Sequence, residues 1–225
     1  MKPARSARDL SLRNVLQPGQ YDFWVFDLDG TLVDVETEYA VSTMIEVGRR
    51  LGHRFDEGEA ETLWYGDGHA RLAVIDRYGI DPEAFWRAVH EVEDPSDRAS
   101  SSYLQEDAAV VGELDVPVAL VTHCQEYLTG PVLDRHDVRD WFDAVVCCTD
   151  DLGWKPDPAP VEAGISGLKV RGGDPGAMVG DSAVDVGAAQ NAGLDSVHVV
   201  RHDPDRAGRC VLGDHRIESL YALRS

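Results

Sequence analysis

Short apolar runs that end abruptly in polar residues recur along this 225-residue chain and constrain its fold more than any other feature. Each run has the length of a buried strand, and helical patterns separate most of the runs. We therefore expect five core strands, near residues 22–27, 117–121, 144–148, 176–180 and 196–200. Strands that alternate with helices predict an α/β fold with a parallel sheet, whose polar strand ends meet along one edge.

Two carboxylates follow the first apolar run, in the segment Asp27-Leu28-Asp29-Gly30-Thr31. Gly30 lets the backbone turn tightly, so both side chains can project into the crevice at the strand end. One carboxylate can attack an electrophile and form a covalent intermediate, while the other moves protons to the leaving group and from water. The alternative is an acidic turn without chemistry, and the rest of the chain has to decide between them.

Three more polar clusters stand at or near further strand ends. Thr122 and His123 follow the second apolar run, Lys155 precedes a proline, and Gly180–Asp185 ends the run that begins at Gly176. The chain contains only three lysines, so a functional role for Lys155 is favoured over a chance position. Each cluster also has a structural explanation, since a threonine can satisfy backbone groups at a strand end and aspartates can cap a helix.

Taken together, these residues resemble the haloacid dehalogenase superfamily of phosphohydrolases. The four motifs of that family match in order at Asp27–Thr31, Thr122, Lys155 and Gly180–Asp185, and the resemblance spans nearly the whole chain. It implies an α/β fold with a Rossmann-like, doubly wound parallel-sheet core and an inserted α-helical cap domain. It also implies a phosphatase that works through an aspartyl-phosphate intermediate.

The resemblance implies catalytic roles for four residues. Asp27 would be the nucleophile, and Asp29 would protonate the leaving alkoxide and then activate water. Thr122 would hold phosphoryl oxygens together with nearby backbone N–H groups, and Lys155 would supply a positive charge.

A cation is also expected, because two carboxylates and a dianionic phosphate repel one another. Mg²⁺ suits an all-oxygen site that includes substrate phosphate. By family analogy, the metal ligands are the carboxylates of Asp27 and Asp181 and the backbone carbonyl of Asp29. Ser182 and Asp185 would lie just behind these ligands, with Asp185 orienting the lysine of the third motif or a metal-bound water.

Substrate contacts are expected from Gly30, Thr122, His123, Lys155 and, within the insertion, Arg71. Many relatives carry Asn in place of His123. If only its backbone N–H meets phosphate, the replacement is harmless, and we favour this interpretation over an inward-pointing ring that adds pH dependence near neutrality. Arg71 could meet a substrate carboxylate, but a solvated helix face explains it equally well.

Residues 35–101 interrupt the strand–helix rhythm and carry helical patterns alone. Asp56–Glu59 resembles a capping box, and Asp81-Pro82 places a cap before a proline at the first helical position. The segment matches the helical cap of phosphoglycolate phosphatase-like members of the family, with hinge strands expected at 33–36 and 95–102. We thus expect an N-terminal arm at 1–20, a core at 21–34 and 102–225, and a cap domain at 35–101.

The acidic excess limits the partners. The chain carries a formal net charge of −20, and its basic residues are mostly Arg, a composition that resembles cytosolic proteins of salt-in halophiles. Such a surface repels nucleic acid and anionic membranes, so we expect neither as a partner, and the oligomeric state stays open. No apolar span could cross a membrane, and 1–20 lacks the apolar core of a secretory signal, so a cytoplasmic protein is expected.

The sequence thus favours a Mg²⁺-dependent phosphatase of a small phosphorylated metabolite, with phosphoglycolate as the leading substrate. A sugar phosphomutase or a nucleotidase of the same fold stays open, as does a catalytically silent binding protein. A dehalogenase is disfavoured, because those enzymes lack a carboxylate equivalent to Asp29 and need no Mg²⁺.

Overall fold

The computed structural model describes residues 16, 19–201 and 213–224 of the chain. The predicted arm at 1–20 therefore lies almost wholly outside the described residues, as does part of the predicted core at 202–212.

A six-stranded parallel sheet forms the centre of the molecule. Its strands are β1 (Phe23–Phe26), β4 (Val118–Thr122), β5 (Ala144–Cys147), β6 (Gly176–Gly180), β7 (Asp195–Val199) and β8 (His215–Ile217). They lie in the order β5-β4-β1-β6-β7-β8. The chain adds strands outward from β1 on one side and then on the other, so the order reverses beside β1. Open α/β sheets bind ligands beyond the strand ends at such a reversal. The doubly wound prediction is confirmed, and all five predicted strands are present; the short β8 was not predicted.

Successive residues of each strand point to opposite sides of the sheet, so apolar side chains lie on both faces. Helices cover these side chains on each face. Phe23 and Val25 pack in one apolar cluster with residues of α7 (Ala159–Gly167) and α8 (Ala183–Asn191). Trp24 and Phe26 pack in the other cluster, with α6 (Glu126–His136) and the 3₁₀ turns at 108–113 and 220–223. The burial of both faces explains why β1 and β6 are apolar or small at every position.

The insertion folds as helices with an apolar core of its own, which includes Met44, Leu63, Ile75 and Phe85. The helices are α1 (Thr37–Arg50), α2 (Glu57–Tyr65), α3 (Gly68–Arg77), α4 (Pro82–Val92) and α5 (Pro95–Ser100). The predicted caps are present, since Asp56 forms a capping box with Glu59 and Asp81 accepts a hydrogen bond from the Ala84 N–H. No helix in the described part of the chain is long and apolar enough to span a bilayer.

Two short antiparallel strands connect the insertion to the core, β2 (Val33–Val35) and β3 (Ser102–Leu104). The first hinge strand was predicted correctly, whereas the second was wrong for most of 95–102. That segment begins with α5, because Asp94 accepts hydrogen bonds from the Ser96 and Asp97 N–H groups and Pro95 occupies the first helical turn. The strand starts only at Ser102. This difference matters because α5 carries a residue of the site.

Candidate active site

Three strand ends converge on Asp27 and Lys155. Asp27 directly follows β1, and its N–H donates to the Val179 carbonyl in β6 at 3.0 Å. Lys155 Nζ donates to Asp27 Oδ1 at 2.5 Å and to the Val121 carbonyl in β4 at 3.1 Å. Both side chains are almost fully buried. The motifs that are distant in sequence therefore meet at one edge of the sheet, as predicted.

Asp185 forms the second ion pair of Lys155, with Nζ and Asp185 Oδ1 2.7 Å apart. Asp185 lies in the first turn of α8, where its Oδ2 accepts hydrogen bonds from the N–H of Ser182, at 3.1 Å, and from the Ser182 hydroxyl. In this position Asp185 can orient Lys155, and the hydrogen bonds from Ser182 hold Asp185 in turn. Lys155 Nζ thus makes two hydrogen bonds and a further ion pair with protein oxygens, and its contact with phosphate stays a prediction.

Thr31 joins the two acidic motifs, although no role was predicted for it. Its Oγ1 accepts a hydrogen bond from the Asp181 N–H at 3.1 Å and lies 3.2 Å from Asp181 Oδ1 and 3.4 Å from Asp27 Oδ2. Thr31 is the last residue of the first motif, and this position was the sequence signal that could have indicated its role. Gly30 makes the approach possible, because a Cβ there would lie 2.6 Å from Asp181 Oδ2 and the backbone φ is +79°. The Gly30 N–H donates to the Val33 carbonyl at 2.8 Å, so its contact with substrate stays a prediction.

The carboxylates carry more negative charge than Lys155 balances. Burial raises the pKa of Asp27 to about 7, with Asp185 and Asp29 adding to the shift and Lys155 opposing it. Burial, with the charges of Asp185 and Asp27, also raises the pKa of Asp181 well above its usual range. Asp185 differs, because Lys155 holds its pKa low despite its burial. Asp27 and Asp185 therefore share the charge of Lys155, whereas Asp181 makes no ion pair with a basic residue in the described part of the chain.

This donor set fits a divalent cation. One carboxylate oxygen each of Asp27, Asp181 and Asp185 lies within 4.8 Å of the others. Asp185 has both oxygens engaged, by Lys155 and Ser182, whereas Asp27 Oδ2 is only 3.4 Å from the Thr31 hydroxyl. Asp27 and Asp181 are therefore the better candidates to bind an ion, and hard oxygen ligands suit Mg²⁺. The carbonyl of Asp29 as a further ligand stays a prediction.

Thr122 ends β4 with its side chain buried. Its Oγ1 accepts a hydrogen bond from the Cys124 N–H at 3.0 Å, which leaves the hydroxyl proton available for a phosphoryl oxygen.

The ring of His123 packs edge-on against Trp154, with the ring centroids 5.5 Å apart, and its buried Nε2 has no hydrogen-bond partner among the described residues. Burial, with the charge of Lys155, lowers its pKa to about 4. The ring is thus neutral at physiological pH, and pH dependence near neutrality is not expected from it.

Asp29 stands on the more open side of the site, with its side chain 34% exposed. It forms an ion pair with Nη2 of Arg98, a buried residue of α5. The guanidinium of Arg98 lies 5.1 Å from the ring centroid of Trp64 in α2. Sequence reasoning missed Arg98, because it belongs to no motif and its segment was taken for a hinge strand.

Arg71 directs its guanidinium toward the end of α2. It donates to the carbonyl oxygens of Leu63, Trp64 and Gly66 at 2.8, 3.1 and 3.3 Å, respectively. The same guanidinium lies 5.3 Å from the ring centroid of Trp86. Arg71 therefore stabilises the cap itself, and its predicted contact with substrate stays a prediction.

Two residues outside the motifs contact the backbone of the loops that carry Thr31 and Asp181. Arg201 donates to the Thr31 carbonyl at 3.0 Å and forms a two-point ion pair with Asp107, at 3.0 and 2.7 Å. His198 Nε2 lies 3.0 Å from the Asp181 carbonyl oxygen. Neither residue has a sequence signal, because only the folded sheet brings them to these loops.

A sequence model of the haloacid dehalogenase-like hydrolases matches residues 24–199. The chain belongs to this family. A phosphoglycolate phosphatase of Pseudomonas syringae pv. syringae is 32% identical to it over 196 residues, which cover 77% of this chain and 67% of the relative. The family and the names of such relatives support a phosphatase enzyme.

Solved structures of this family share the fold. A protein of Lactobacillus plantarum, provisionally assigned as a phosphoglycolate phosphatase, superposes with a TM-score of 0.72 at 21% identity, over 89% of this chain and 96% of that one. A β-phosphoglucomutase of Clostridium difficile gives a TM-score of 0.64 at 18% identity, over 91% and 93%. At identities this low, the similarity shows only a shared fold, with its α/β core and helical cap.

Proposed function

We propose that this protein is a Mg²⁺-dependent phosphatase that hydrolyses a small phosphorylated metabolite through an aspartyl-phosphate on Asp27. The observation that carries the proposal is the pairing of two unlike carboxylates. Asp27 is buried against Lys155, whereas Asp29, two residues later, faces the more open side beside Arg98. One carboxylate is held rigidly for attack, and the other can reach the leaving group and water.

The first step transfers the phosphoryl group to the protein. A carboxylate oxygen of Asp27 attacks phosphorus, and the bond from phosphorus to the leaving oxygen breaks. Asp29 gives its proton to that oxygen, which leaves as an alcohol. Lys155, 2.5 Å from Asp27, favours the ionised form that attack requires.

The second step releases phosphate. Asp29, now a carboxylate, takes a proton from a water molecule whose oxygen attacks phosphorus. The bond between phosphorus and Asp27 breaks, so that inorganic phosphate leaves and both carboxylates return to their starting states. The Thr122 hydroxyl is available to donate to a phosphoryl oxygen throughout.

Mg²⁺ held by Asp27, Asp181 and the Asp29 carbonyl would neutralise charge on the phosphoryl oxygens. The clustering of three carboxylates supports this part of the proposal, since Asp27 and Asp185 share Lys155 and Asp181 makes no ion pair with a basic residue among the described residues.

Phosphoglycolate is the leading substrate in this proposal, supported by the name of the 32% identical relative. We further propose that the protein works in the cytoplasm on a free metabolite, without nucleic acid or membrane partners, since its net charge of −20 would repel both.

Hydrolysis of 4-nitrophenyl phosphate with Mg²⁺, and with excess chelator, tests the chemistry. Wild type should be active only with the metal, and Asp27→Asn should abolish turnover while leaving the melting temperature near that of wild type, because an amide is a far poorer nucleophile. Asp22→Asn is the matched control, because Asp22 is an exposed aspartate just before β1. Near-normal turnover by the Asp27 variant would contradict the proposal.

A screen of phosphorylated metabolites then identifies the substrate. Release of inorganic phosphate supports a phosphatase, whereas an isomerised sugar phosphate without free phosphate would indicate a mutase. Preference for nucleoside monophosphates would indicate a nucleotidase, and binding without turnover of any ester would indicate a silent binding protein.

A further inference from the structure

Arg98 is a buried cation where the cap meets the core. It belongs to α5, in the cap, yet its Nη2 contacts the carboxylate of Asp29 in the core. We propose that Arg98 is a positioning residue that orients the Asp29 carboxylate for proton transfer. The inference rests on the proposed function, since it concerns how Asp29 serves as acid and base.

The contact engages one oxygen of Asp29 and leaves the other free. Arg98 reaches Oδ1 through a single nitrogen, and no hydrogen bond to Oδ2 is present in the part of the chain that the structure describes. Arg201 and Asp107 show the contrasting case, in which two nitrogens occupy both carboxylate oxygens. The one-point contact anchors Asp29 and leaves Oδ2 for the leaving oxygen or for water.

The guanidinium of Arg98 is itself held from several sides. It lies 5.1 Å from the ring centroid of Trp64 and 6.0 Å from that of Tyr39, and Nη1 is 3.5 Å from Glu93 Oε1. These neighbours come from α1, α2 and the junction between α4 and α5, so the cap fixes the position of the cation. A rigid cation of this kind can direct a carboxylate without reorganising during the reaction.

A purely structural role explains the arrangement less well. Glu93 alone would balance the charge of Arg98 within the cap, and no contact with the core would be needed. The buried Nε of Arg98 has no hydrogen-bond partner among the described residues, which is unfavourable for stability. The side chain is therefore placed where it meets Asp29 rather than where all its donors are satisfied.

The role predicts a dependence on the leaving group. An alkoxide needs a proton as it departs, whereas 4-nitrophenolate is stable enough to leave without one. Loss of Arg98 should thus slow phosphorylation by an alkyl phosphate and spare phosphorylation by 4-nitrophenyl phosphate.

The test compares Arg98→Gln with wild type on 2-phosphoglycolate, glycerol 2-phosphate and 4-nitrophenyl phosphate. For whichever alkyl ester wild type hydrolyses, kcat should fall roughly 10- to 100-fold. The rapid initial release of 4-nitrophenolate and the KM values should stay within about threefold. Arg50→Gln, which removes an exposed cap arginine paired with Glu46 and Glu91, should match wild type.

Further variants keep the test decisive if Arg98→Gln fails to fold. Arg98→Lys retains a charge near Glu93 but lacks the planar fork, so it should show a smaller loss with the same selectivity for alkyl esters. In an Asp29→Asn background, replacing Arg98 with Lys or Gln should cause no further loss, because Arg98 acts through Asp29.

Equal loss in the rate of the phosphorylation step on both classes of ester, or additive losses in the Asp29→Asn background, would overturn the role of Arg98. Absence of any activity in wild type would instead overturn the proposed function, so the two failures are distinguishable.

Discussion

Binding of Mg²⁺ to this site should depend strongly on pH, because protons and the metal compete for Asp27 and Asp181. Burial raises the pKa of Asp27 to about 7 and that of Asp181 well above its usual range. Both must lose protons to bind a cation. In the metal-free protein, the raised pKa of Asp27 makes the folded state less stable as pH rises. The stabilising contribution of protonated Asp27 is complete below its ordinary pKa of 3.8 and is lost as pH rises through about 7.

The size of the effect follows from one released proton. For a group with a pKa of about 7, the apparent association constant of the ion should rise about 50-fold between pH 5 and pH 7. Each tenfold change corresponds to about 1.4 kcal/mol, so the gain in binding free energy is about 2.3 kcal/mol. A second proton released from Asp181 would make the rise steeper.

Titration calorimetry with Mg²⁺ at about pH 5, 6 and 7, in buffers of different ionisation enthalpy, measures both the affinity and the protons released. The rise in melting temperature caused by Mg²⁺ should also grow with pH. Asp181→Asn should bind more weakly and release no more than one proton, whereas the exposed control Asp22→Asn should behave as wild type. An affinity that is independent of pH over this range would refute the reasoning.

Three other outcomes are expected. Asp181→Ala should raise the Mg²⁺ concentration needed for half-maximal phosphatase activity by roughly tenfold or more, and unchanged activation would remove Asp181 from the metal site. Arg71→Ala should destabilise the cap by about 1–3 kcal/mol in denaturant unfolding, since it removes the donor of three backbone carbonyls. It should also raise the KM for phosphoglycolate more than that for 4-nitrophenyl phosphate, and equal KM effects would assign Arg71 to the cap fold alone. The net charge of −20 predicts a melting temperature and activity that rise from low salt to molar KCl, and salt-independent melting would leave the acidic excess unexplained.

Local patterns in the sequence predicted the elements that have their own start or end signals. The capping box at Asp56 and the Asp81-Pro82 cap both begin helices as expected. Asp94-Pro95 carries the same type of cap signal and begins α5, although this segment was predicted as a hinge strand. β8 could not be predicted, because a three-residue strand at a sheet edge carries little periodicity.

The sequence by itself determined which residues can react, because the chemistry of two carboxylates, a threonine and a lysine at strand ends is local. A parallel sheet must bring those ends to one edge, so their convergence also followed from the pattern of strands. Only the tertiary structure decided what each group contacts. Arg98 meets Asp29 through the packing of the cap on the core, 69 residues apart in sequence, and Lys155 meets Asp27 across 128 residues. Burial, which sets the pKa values of the buried carboxylates, arises from the same long-range packing, and no local pattern encodes it.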